Sequence, residues 1–98
     1  MKELTTDQKA VLRTAIFKNG KNVQINKCIE EMAELTKALL DYINGRCGFK
    51  EVVTEIADVQ ITSAEMAMMF GDKETDAEID AKIERLRMRM SEKGGSNE

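Results

Sequence analysis

Residues 52–70 read VVTEIADVQITSAEMAMMF; twelve of these nineteen are apolar, and only Glu55, Asp58 and Glu65 are charged. The run shows no strand alternation and stops at Gly71-Asp72, so it reads as a helix that begins near Phe49. A helix apolar on nearly all sides is normally buried on most of them. Two carboxylates one turn apart, Glu55 and Asp58, are therefore out of place there unless something compensates them.

Ahead of this helix lies Gly45-Arg46-Cys47-Gly48, a short loop with two glycines. Before it, residues 23–43 read as a second long helix, with Asn22 as its N-cap. Ile25, Cys28, Ile29, Met32, Leu35, Leu39 and Ile43 fall on one face at steps of three and four. A first helix spans about 7–18, with Thr5 and Gln8 placed as a capping box and Asn19-Gly20 as its stop. A fourth spans about 76–90, with Thr75 and Glu78 as its capping box and a narrow stripe of Ile79, Ile83, Leu86 and Met90. Residues 1–90 thus form one helical domain, and 91–98 read as a flexible polar tail. The fold class is all-α, with four helices and no strand pattern.

Composition narrows the chemistry. The chain has 98 residues, no His, no Pro and no Trp, and two Cys. Without His there is no His-based triad and no His-ligated zinc or di-iron site. Cys28 and Cys47 cannot make a four-Cys zinc site, so any metal must be held by carboxylates, which suits Mg2+ or Mn2+. No apolar run is long enough to span a membrane and no signal-peptide pattern opens the chain, so a cytoplasmic protein is expected. The net charge of −3 is unevenly spread. Residues 27–58 carry seven acids and four bases, whereas residues 82–93 carry five bases and two acids. The acidic centre argues against a nucleic-acid polymer as ligand; a basic end beside it suits an anion carried on a cation.

The acids fall in two motifs, Glu30-Glu31-x-x-Glu34 on the second helix and Glu55-x-x-Asp58 on the third. Glu31 and Glu34 share a face, as do Glu55 and Asp58. If the loop at Gly45 folds the two helices antiparallel, both pairs sit about eleven residues from the turn, at nearly the same height. Four carboxylates then converge, and divalent cations would offset their repulsion. Against this stand two plainer readings: a solvated glutamate face on the second helix, and pairing of Glu55 and Asp58 with bases of the fourth. Lys27 lies one turn before the first motif, placed for a phosphate or for a salt bridge to Glu31. The aromatics Phe17, Tyr42, Phe49 and Phe70 read as core before base platform.

The two motifs and their spacing resemble the signature of the MazG-like all-α nucleoside triphosphate pyrophosphohydrolases: EExxE, a spacer, then ExxD. The surrounding Gln24-Ile25-Asn26-Lys27 and the basic Lys82-Ile83-Glu84-Arg85-Leu86 are similar too, so the resemblance covers about residues 22–90. It implies hydrolysis of a (deoxy)nucleoside triphosphate to the monophosphate and pyrophosphate, a reaction that cleans the nucleotide pool. By matching positions, Glu31, Glu34, Glu55 and Asp58 would ligate magnesium and Glu30 would orient the water. Lys27, Lys82, Arg85 and Arg89 become candidates for the triphosphate, and Gln24 and Asn26 for the base or sugar. The resemblance also implies a homodimer or homotetramer, with the helix 2–helix 3 hairpin pairing with a second copy into a four-helix core. The alternative is a helical interaction or regulatory protein that keeps such a fold without catalysis.

Overall fold

The computed structural model describes residues 2–94, with side chains to residue 92, and contains four α-helices and no strand among them. They are α1 (Thr6–Asn19), α2 (Lys21–Ile43), α3 (Phe49–Phe70) and α4 (Asp72–Gly94). α2 and α3 form an antiparallel hairpin closed by residues 44–48. α1 leans on both, and α4 packs against α3 alone. No helix is long and apolar enough to cross a membrane.

Local chemistry sets the boundaries. The Thr5 hydroxyl accepts from the Gln8 N–H at 3.0 Å and the Gln8 side chain accepts from the Thr5 N–H at 3.0 Å, completing the expected capping box. Asn22 is not an N-cap. Gly20, at φ 90° and ψ 157°, breaks the helix for one residue, so α2 starts at Lys21 and Asn22 lies inside it. That conformation belongs to glycine, and it joins α1 to α2 without a loop. Likewise α4 begins at Asp72, straight after Gly71. Thr75 therefore lies inside the first turn, its hydroxyl bonded to the Gly71 carbonyl at 2.6 Å, and makes no capping box with Glu78. Asp72 and Glu74 favour this earlier start by opposing the helix dipole. At the other end, α4 continues through residues 91–94, which were read as tail; residues 95–98 lie outside the described part.

Few residues of the hairpin are fully buried. Cys28 and Ala38 are the buried apolar residues, whereas Gln24, Thr62 and Glu65 are buried as deeply. The apolar stripes look outward. Ile29, Met32, Leu39 and Ile43 of α2 are exposed, as are Phe49, Val53, Ile56, Ile61 and Phe70 of α3. The aromatics read as core are exposed too, with Phe17 at 89%. Tyr42 and Phe49 stack across the hairpin turn at 5.5 Å. α4 is exposed from Asp76 to Glu92.

Two dimensions express this openness. The accessible surface is 7807 Å², against about 5,600 Å² for a compact monomer of this mass. The radius of gyration is 16.7 Å, against about 13 Å for a compact domain of this length. The excess area, about 2,200 Å² per chain, is of the size that permanent subunit interfaces cover.

Candidate metal centre

The hairpin brings the two acidic motifs together. One carboxylate oxygen each from Glu31, Glu55 and Asp58 lies within 4.8 Å of the other two, and all three side chains are half-buried. The turn sets this register. The Asn44 N–H bonds to the Leu40 carbonyl and the Arg46 N–H to the Asp41 carbonyl at 2.7 Å. Gly45 takes φ 72° between them. Lys37 and Arg46 both reach Asp41, and the Glu51 carboxylate accepts the Gly48 N–H at the start of α3. Glu31 and Asp58 then meet across the seam.

Glu34 stands one turn beyond Glu31, exposed, outside this close group but near enough to act on it. Partial burial pushes the Glu55 carboxyl above its ordinary value, and the neighbouring charges of Asp58, Glu34 and Glu31 push it the same way. No base counters them: among the described residues the ion pairs are Lys37–Asp41, Arg46–Asp41 and Arg87–Glu84. Among the described residues, Glu55 and Asp58 thus make no pair with a base of α4.

A raised acid value in the folded state destabilises the fold where Glu55 is ionised and ceases to do so as it protonates. In chelator, metal-free wild type should melt below Glu55→Gln near pH 7. That deficit should close as the pH falls through the titration of Glu55, because protonated Glu55 resembles Gln. Paired melts across this range check it; a gap that widens on acidification contradicts the repulsion.

The other candidates are spread out. Glu30 is exposed on α2, about 100° round from Glu31. Lys27 and Asn26 are exposed a turn earlier. Lys82, Arg85 and Arg89 are exposed on α4, which does not touch α2. Gln24 is 2% exposed and is engaged at both ends. Its carbonyl accepts from Asn19 Nδ2 at 2.9 Å, and its Nε2 donates to Glu65 Oε1 at 2.8 Å.

The sequence reading passed over Glu65. It lies seven residues after Asp58, just as Gln24 lies seven before Glu31, so on antiparallel helices the two meet if the acids meet. Thr62, bonded to the Asp58 and Val59 carbonyls at 3.1 and 3.3 Å, fills the seam between them with Cys28. Two buried polar groups, Thr62 and the Gln24–Glu65 pair, thus follow the acids along the hairpin.

Protein-family models, curated proteins and solved structures were all compared with this chain, and none matches it.

Proposed function

We propose that this chain is a magnesium-dependent nucleoside triphosphate pyrophosphohydrolase acting as a homodimer or homotetramer. The observation that carries the reading is the meeting of Glu31, Glu55 and Asp58 with no base among them. An all-oxygen donor set of this charge suits Mg2+ or Mn2+. Octahedral binding needs ligand oxygens roughly 3 to 4 Å apart, a small side-chain rotation from the present spacing. Glu31, Glu55 and Asp58 would hold the ion, with Glu34 joining from the next turn. The ion supplies positive charge for phosphate oxygens and a bound water of lowered pKa.

The chain's own residues do the rest. Glu30, exposed on α2 beside the cluster, would orient a water and accept its proton. Lys27, at the same end of the motif, offers a cation to a phosphate. The half-buried acids reject an unaccompanied triphosphate by like charge, so the anion enters only with its cation. The resemblance to the MazG-like signature in the same four residues supports this reading. Incubation with a panel of ribo- and deoxynucleoside triphosphates should yield monophosphate and pyrophosphate, with Mg2+ required. Diphosphate plus phosphate would identify a different bond, and no turnover of any member would favour the non-catalytic alternative.

The outward apolar faces support self-association. Met32, Leu39 and Ile43 on α2 lie on the same side of the hairpin as Val52, Ile56 and Phe70 on α3, by helical phase. Two such faces packed together make a four-helix core by a two-fold interface. Light scattering at low micromolar concentration should give a mass of at least two chains; a mass of one 11.0 kDa chain overturns the pairing.

A further inference from the structure

We infer that α4 completes the acid site of a second copy: its apolar stripe docks on the outer face of the partner's α2 and lays Lys82, Arg85 and Arg89 along the partner's Glu30 and Glu34. The inference rests on the pyrophosphohydrolase reading for what the bases would hold, but the docking stands on its own geometry.

α4 has a face and nothing to put it on. Ile79, Ile83, Leu86 and Met90 follow at steps of four, three and four, the narrow seam of a helix built to lie against another helix. All four are exposed, and α4 touches only α3. Lys82 and Arg89 run along one edge of the stripe, and Arg85 lies just behind them. Self-pairing of α4 does not satisfy these bases. A parallel pair sets Lys82 against Arg87. An antiparallel pair sets Lys82 against Arg89 and only balances this with Asp80 against Arg87.

α2 offers what the stripe lacks. Ile29, Ala33 and Leu40 form an exposed apolar strip on its outer side, and Glu30 and Glu34 border that strip between it and Glu31. Stripe on strip, the basic edge of one helix meets the acidic edge of the other. The charges that meet are Lys82, Arg85 and Arg89 on the one and Glu30 and Glu34 on the other. Within one chain the two do not touch, so the match is made by a second copy, and two-fold symmetry makes it twice. The excess surface noted above accommodates this contact along with the hairpin pairing. Each acid site then faces three bases from its partner, a cradle for a triphosphate brought in on the cation.

The test mixes copies grown in heavy and light nitrogen, lets them exchange, and couples amines to carboxylates with a carbodiimide. Peptide masses then report the pairs. Joined peptides of mixed isotope linking Lys82 to Glu30 or Glu34 support the inference. Links confined to one isotope, or no link between these segments, overturn it. Turnover provides the second arm. Glu55→Gln and the Lys82→Glu/Arg85→Glu double variant should each be inactive alone. Mixed, they should recover about a quarter of wild-type activity, because half the dimers are mixed and each holds one intact site. No recovery places acids and bases in the same chain and overturns the inference. Mixed-isotope links in a protein that turns over no nucleotide keep the docking and remove the hydrolase reading. Turnover with same-isotope links does the opposite.

Discussion

Glu55→Gln is expected to lower pyrophosphate release by about a thousandfold or more, because it removes a charged ligand from a site that works by electrostatic stabilisation. Asp58→Asn should do the same. Neither change should cost stability in chelator. Each removes one of several like charges gathered with no base among them, so the metal-free variants should melt at or above wild type. Magnesium should separate the proteins in the other direction. Wild type should gain about 2.7 kcal/mol at a hundredfold excess of ion over its dissociation constant, and the variants far less. Melts at one fixed protein concentration, with magnesium and with chelator, measure all six values. A variant that melts lower in chelator, beside a wild type indifferent to magnesium, would mean that Glu55 serves a structural partner instead.

Gln24→Leu should be the more damaging change for the fold itself. It leaves the Glu65 carboxylate, 4% exposed, without the amide that donates to it, and an unsatisfied buried group of this kind costs about 1–3 kcal/mol. In a chain of this length each kcal/mol lowers the melting temperature by about 4–8 °C. Replacing both residues, Gln24→Leu with Glu65→Leu, should recover most of the loss, since no polar group is then stranded. Chemical denaturation of the two single variants and the double variant closes the cycle. Additive losses would show that the two side chains do not act as a pair.

The sequence was most legible where the information is local. Thr5 and Gln8 announced the start of α1, and the two acidic motifs announced that Glu31, Glu55 and Asp58 come together, because spacing along a helix fixes which side chains share a face. It was less legible at the joints after Gly20 and Gly71. A glycine can break and restart a helix within one residue, so the polar residues that looked like caps, Asn22 and Thr75, lie inside the helices. The apolar periodicity of α2, α3 and α4 correctly marked faces that need covering. It could not say what covers them, because a stripe carries no address. The partners of Gln24 were hidden for a related reason. Its place before the motif suggested a ligand contact, whereas its partner Glu65 is 41 residues away and is found only by carrying the antiparallel register two turns past the acids.

The five-residue closure between α2 and α3 also sets the order in which this molecule is made. Nearly all packing within the chain joins neighbours in sequence, which makes the protomer a low-contact-order fold, and such folds form in microseconds to milliseconds. Formation of the hairpin is therefore fast and independent of concentration, yet it finishes with apolar faces still in water. If two chains pair as proposed, their burial follows collision with another chain, a step whose rate rises with protein concentration. Refolding followed by helix signal and by apolar-dye release should accordingly separate into two phases, only the second of which accelerates as more protein is added.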